Sequence, residues 1–260
     1  MSKAPRRPRP VLIAALSFAL GALAATAAAA AGAAEDDGRP VPRVVSLGGS
    51  CPGCDLSTRK LPGARFIGAD FRGADLVGSD LKGAVFLGAN FSGADFSHAD
   101  LRGASMTGAS FARADFSGAS LQDMKGIGVV FAAANLGGAH LERSTTMGAD
   151  LREANAQGAH FDHARMQTAR LEGGDFSGAS FRGTDLTGAM MAGGHFGATD
   201  FSGANMSGVI LAGADLTGAK GLTRDQIALA CVDRATHLPN GLTPPRVCGG
   251  REHGHWHRDD

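Results

Sequence analysis

Four cysteines and two groups of histidines are the residues of this 260-residue chain whose types and spacing could do chemistry. Cys51-Pro52-Gly53-Cys54 has the C-x-x-C spacing shared by redox pairs, haem attachment sites and zinc sites, while Cys231 and Cys248 lie near the other end. Haem attachment needs a histidine where Asp55 stands, and no βαβ context surrounds the pair to make a thioredoxin-like site. A zinc site would have to gather ligands from both distant ends of the chain. Four cysteines allow three pairings, and locality favours two structural disulfides, Cys51–Cys54 and Cys231–Cys248.

His140 and His160 are twenty residues apart, near Glu142, Asp162 and His163, so the set has metal-ligating types. Solvated surface positions are the plainer reading. The tail Arg251-Glu252-His253-Gly254-His255-Trp256-His257 could chelate a transition metal loosely, but it has no partner residues fixed nearby. No cofactor and no metal centre are expected, with His253, His255 and His257 as the weak candidates. No G-x-S-x-G elbow, Walker A loop or dinucleotide fingerprint occurs. Gly213 to Lys220 approaches a phosphate loop only because glycine recurs every five residues, and an enzyme is the least expected class.

That recurrence governs the elements that must position these residues. From Leu61 to Leu216 every fifth residue forms a series of 32 positions, of which 29 are Leu, Phe or Met, the exceptions being Gly126, Thr146 and Ala156. All thirteen phenylalanines from Phe66 to Phe201 fall on this phase. The residue two before is nearly always small, as at Ala64, Ala69 and Ala74, and glycine usually stands two after. A spacing of five matches neither the 3.6 of a helix nor the 2 of a strand, so the chain must turn after each short segment and send one large side chain inward. Only a coiled solenoid does this repeatedly.

Units such as Gly73-Ala74-Asp75-Leu76, Gly93-Ala94-Asp95-Phe96 and Gly213-Ala214-Asp215-Leu216 resemble the A(D/N)LXX pattern of the pentapeptide-repeat family, over roughly residues 51 to 221 without a phase break. The resemblance implies an all-β fold, a right-handed quadrilateral β-helix with four pentapeptides per coil. Steps of twenty support four sides independently: Asp55, Asp75, Asp95, Asp115, Asn135, Asn155, Asp175, His195 and Asp215 form a class in which eight of nine are Asp or Asn. Steps of twenty-five also give one favourable class, so the spacing alone does not decide the number of sides. Eight coils at ~4.8 Å would make a rod of roughly 38 Å with a filled core.

On the same grid one face carries the acidic ladder of Asp55, Asp75, Asp95, Asp115, Asp175 and Asp215. The opposite face carries Arg65, Val85, Lys125 and Arg165, beside Ile67, Leu87, Thr107, Ile127 and Met147. An apolar stripe with basic neighbours is expected to bind a protein, with Ile67, Leu87, Ile127, Met147, Arg65 and Lys125 as its candidates, although scattered exposed apolar residues are also normal. This face holds the tract's flaw, because Gly126 and Thr146 stand where large residues belong. Met124, in a slot usually held by alanine, is expected to swing inward and fill the void at Gly126.

The ends read as follows. Residues 1–34 resemble a secretory signal peptide, with Lys3, Arg6, Arg7 and Arg9 before an apolar run and A-x-A cleavage choices; a retained anchor is the alternative. Residues 35–50 form a linker in which Val44, Val45 and Leu47 could add a covering strand. The repeats occupy 51–221, a cap 222–249, and a disordered His-rich tail 250–260. In the cap, Thr223 with Gln226 makes a capping box for a helix from about Arg224 to Val232, and Leu238-Pro239-Asn240-Gly241 is a turn. Without the leader, 21 Lys+Arg face 25 Asp+Glu, a net of −4, which argues against nucleic-acid binding. The expected product is a periplasmic or secreted, non-enzymatic structural or protein-binding scaffold, not stably inserted in a membrane and of open oligomeric state and partner. Some members of the resembled family mimic DNA and bind type II topoisomerases; the acidic ladder invites that alternative and export opposes it. A metal-binding protein acting through its tail is the third reading.

Overall fold

Each pentapeptide makes one side of a coil and each fourth side stacks on the first. The computed structural model describes residues 49–243, all within the unit Val44–Asp260. The expected signal peptide, covering strand and His-rich tail lie outside the described residues. Parallel bridges join residue i to i+20 from Ser50–Asp70 to Asp200–Lys220, which settles the count at four sides. A side is held to the next coil by bonds such as Phe66 N to Val85 O at 2.7 Å and Val85 N to Ala64 O at 2.8 Å. The protein is a right-handed quadrilateral β-helix.

The corners explain the period. After each large residue the chain turns, the amide of the next small residue donating back to its carbonyl, as Ala64 N does to Leu61 O at 3.1 Å. The third turn residue has positive φ, 67° at Gly63, as a type II turn requires. Ten corners nevertheless use other residues, Thr58, His98 and Arg113 among them, with φ between 55° and 60°. Stacking on the coils above and below holds them in a region that costs an L-residue about 1 kcal/mol or more.

Inside, the large and small positions form one apolar core from Ala64 to Val232. Phenylalanines line it in two runs. Phe66 to Phe131 make a continuous set of stacked and edge-to-face contacts, and Phe161 to Phe201 make a second. Met124 is fully buried as expected, and Val129 joins it. A Cβ built on Gly126 would lie 2.9 Å from Val129 Cγ1 and 3.2 Å from Met124 Sδ, so two enlarged neighbours occupy the room of one missing side chain. One coil later the defect persists: the hydroxyls of Ser144 and Thr146 are buried without partners among the described residues.

The cap departs from expectation. Helix α1 spans Arg224–Ala228, not to Val232, with the capping box between Thr223 and Gln226 formed as predicted. It stops because the last coil still presents open backbone groups. Cys231 and His237 instead pair in parallel with Ile210 and Asp215, with Cys231 N bonded to Val209 O at 2.7 Å. The remaining edge groups are taken by side chains: Gln226 donates to Phe201 O and Ala204 O, Thr236 donates to Leu211 O, and Asp233 accepts from Gly213 N. Ile227, Ala230 and Val232 cover the core end. The terminal turn closes one residue later than predicted, Leu242 N donating to Pro239 O at 3.2 Å with Gly241 at φ 85°.

Candidate protein-interaction face

The two opposite faces singled out by the sequence are both realised, with different chemistry. On the ladder face, bridges run unbroken from Asp55 to Asp215 and on to His237. Each Asp or Asn there turns its oxygen onto its own chain. Ser57 N donates to Asp55 at 3.0 Å, Val77 N to Asp75 at 3.0 Å, Ser97 N to Asp95 at 2.9 Å and Ser117 N to Asp115 at 2.8 Å. The same bond recurs at Asp175 and Asp215. Asn135 donates sideways to Asp115, and Asn155 to Asn135. These are Asx turns, so the acidic residue fixes the amide that follows the large residue. Ser57 bonding holds the Asp55 carboxyl below its ordinary value. Burial alone would raise Asp175, but bonds from Ser177 and Gln157 outweigh it, and Thr217 lowers Asp215.

From Arg65 to Arg165 the opposite face has little of this internal satisfaction, which returns beyond it at Asp185 and Asn205. Its centre is the column Arg65, Val85, Ser105, Lys125, Thr145 and Arg165, joined by successive bridges. Along its edge run Ile67, Leu87, Thr107, Ile127 and Met147, the first of two turn residues between sides. Ile67 is 43% exposed, Leu87 47% and Ile127 52%, whereas Met147 is half-buried. Arg65 and Lys125 are exposed and make no ion pair among the described residues. No carboxylate occurs in either column from Arg65 to Arg165. The corner beyond the edge is Gly68, Gly88, Gly108, Gly128 and Gly148, where only the hydroxyl of Thr168, at Gly148, would come within 4 Å of an added Cβ. Sequence reasoning missed Leu229, 58% exposed, whose carbonyl accepts from Gly208 N and so continues the edge column at the cap. Its signal was hidden by the expectation of a longer helix.

The cysteines and histidines fall into structural settings. Cys51 and Cys54 form a disulfide across the first turn, both half-buried, with Cys51 against the core. Cys231 is disulfide-bonded, and Cys248, its expected partner, lies outside the described residues. The rings of His140 and His160 stack at 4.8 Å, with His140 Nδ1 3.1 Å from Glu142 and His160 Nδ1 3.9 Å from Asp162. His163 turns away over the corner at Gly183. Among the described residues no group of three His, Cys, Asp or Glu is arranged to hold a metal. His253, His255 and His257 are outside them. No helix of the described residues is long and apolar enough to cross a membrane.

Comparison with known proteins matches the geometry. The family model for pentapeptide repeats matches in eight copies, over residues 51–123 and 127–218. The solved structure of HetL from the cyanobacterium Nostoc sp., a pentapeptide repeat protein involved in heterocyst differentiation regulation, is 26% identical. Its TM-score is 0.50, with 78% of this chain and 88% of HetL covered. A pentapeptide repeat protein of the Arabidopsis thaliana thylakoid lumen is 30% identical over 39% of this chain and 64% of its own, with a TM-score of 0.30. QnrB1, a plasmid-mediated fluoroquinolone resistance protein, is 20% identical over 74% of this chain and 92% of its own, with a TM-score of 0.39. No curated protein sequence matches the chain.

Proposed function

The chain belongs to the pentapeptide-repeat family, and on that premise we propose that it is a non-enzymatic, exported scaffold that binds a protein through the Arg65–Arg165 face. One observation carries the reading. The ladder face spends its carboxylates on its own turns, whereas the opposite face leaves Ile67, Leu87 and Ile127 near half-exposed beside Arg65 and Lys125, which have no ion partners among the described residues. Side chains whose bonding is met within the molecule serve the fold; an acid-free apolar and basic strip is left for a partner. Export rests on the leader-like N-terminus and on the disulfide chemistry of Cys51, Cys54 and Cys231, which suits an oxidising compartment. Periplasm and extracellular space both fit.

The test is affinity capture from the cell envelope with the wild type and with an Ile67→Asp/Leu87→Asp/Ile127→Asp variant. Proteins retained by the first and lost from the second support the face. Identical sets remove it. Fusion of residues 1–34 to a reporter tests export separately, and a reporter kept in the cytoplasm would overturn that part.

A further inference from the structure

The dimensions of the strip restrict what can cover it. From Arg65 to Arg165 are five steps between coils, roughly 24 Å at ~4.8 Å each. One side of a coil is about 10 Å wide, three residues of extended chain. The plan area, roughly 240 Å², is well below the ~800 Å² per partner of a standard protein–protein interface. A second copy docked by the same face would set Arg65, Lys125 and Arg165 against their own equivalents, which is repulsive. Resting on the reading that this face binds a protein, we propose that its occupant is a single acidic amphipathic helix of the partner, lying along the solenoid axis over the Arg65 column and the Ile67 edge.

Periodicity favours a helix over an extended segment. Strand addition needs unpaired backbone, and here the backbone of Phe66 and Val85 is already bonded between coils. An extended chain laid along the axis would repeat its same-side residues every ~6.8 Å, losing about 2 Å per coil. A helix repeats every ~5.4 Å, so it drifts by about 0.6 Å per coil and stays within side-chain reach across the strip. Its width of about 10 Å equals one side. The bare corner at Gly68, Gly88, Gly108 and Gly128 lets a cylinder settle against Ile67, Leu87 and Ile127.

Charge sets its composition. Arg65 and Lys125 seek carboxylates that their column does not supply on the coils beside them; its one acid, Asp185, stands beyond Arg165 and is already bonded by Thr187 and Gln167. Across the glycine corner the nearest acids are already taken: Arg72 grips Asp70 through two bonds of 2.9 and 2.8 Å, and Arg152 grips Asp150 through bonds of 2.8 and 2.6 Å. The matching helix therefore has an apolar stripe flanked by Glu or Asp.

A synthetic peptide of about 16 residues, long enough at ~1.5 Å per residue to span the strip, is the probe. It carries Leu at helical spacing and Glu elsewhere, and binding to the full chain is read by fluorescence anisotropy. Saturable binding is expected, weakening about tenfold or more at high salt and with Ile127→Asp or Lys125→Glu, and unchanged with Asp95→Asn. Equal binding of a proline-interrupted peptide of the same composition would overturn the helix while leaving a protein-binding face in place. Equal binding of the peptide with Lys for Glu would overturn its acidic character. Retention on anionic phospholipid vesicles with no binding of either acidic peptide would overturn both the helix and the protein-binding reading in favour of a membrane surface.

Discussion

The ladder face and the face opposite it share one backbone and differ in both layers. Under the ladder the large positions are Leu56, Leu76, Phe96, Phe116, Leu136, Ala156, Phe176, Phe196 and Leu216. Phe96 stacks on Phe116 at 4.8 Å and 4°, and Phe176 on Phe196 at 5.2 Å and 7°. Under the opposite face they are Phe66, Phe86, Met106, Gly126, Thr146, Met166, Leu186 and Met206, which includes the defect that Met124 and Val129 fill. Methionine adapts its shape more readily than a stacked ring. The difference teaches that the period fixes the backbone everywhere while packing and pairing vary by side and along it. Phe66 stacks on Phe86 under the opposite face too, but from Met106 to Met166 that side is adaptable below and, up to Arg165, largely unpaired above.

The sharpest way to break this contrast is in the core. Phe116→Ala removes a ring that contacts Phe96, Phe111 and Phe131, and is expected to cost about 3–5 kcal/mol in denaturant unfolding. Met166→Ala, the matching truncation beneath the opposite face, should cost less, about 2–3 kcal/mol, because its neighbours there re-pack more readily. Comparable losses at the two sites would end the distinction between rigid and adaptable sides.

The surface layer gives a smaller effect. Asp95→Ala leaves the Ser97 amide without its acceptor and should cost about 1 kcal/mol. Ile67→Asp, Leu87→Asp and Ile127→Asp should each lie within about 0.5 kcal/mol of wild type, since they touch no internal bond. A reversed order, seen in urea midpoints, would make the ladder the dispensable side.

Acid titration is the mildest probe. Asp100, between the two faces, accepts from Arg102 and Lys82, and these bonds hold its carboxyl at about 2, below the ordinary 3.8. Asp55 and Asp215 are lowered in the same sense by Ser57 and Thr217. A folded value depressed below the unfolded one gives stability that is complete above the unfolded value and is lost as pH falls through the folded one. Unfolding should therefore become easier as pH drops from about 4 toward about 2, and Asp100→Asn should flatten that slope. A slope unchanged by Asp100→Asn would remove this carboxylate from the account.

The coil architecture was legible because the large residue recurs every fifth position with so few breaks, and no other secondary structure tolerates that period. Met124 was legible for a related reason: one oversized residue beside one missing side chain has a single packing solution. The cap was less so. Arg224 to Val232 looks helical by local pattern, yet the open groups at Val209 and Leu211 draw Cys231 back into the ladder, a tertiary demand that propensity does not contain. The positive φ of Thr58, His98 and Arg113 was hidden likewise, since neighbouring coils impose it. The candidate face was visible as residue types, but that the acids of the other sides are taken up, by Asx turns on the ladder and by Arg72 and Arg152 next to the strip, emerged only from the bonds.

The claim that the two sides divide structure from recognition is tested most directly by a photo-cross-linking residue placed at position 127 or at position 95 of the full chain and activated in the intact cell envelope. Position 127 is an exposed turn residue at the edge of its side and position 95 a half-buried bridge residue at the centre of the opposite one, on neighbouring coils. Protein adducts at 127 and none at 95 are predicted. Adducts at 95 with none at 127 would contradict the account and make the acidic ladder the binding side.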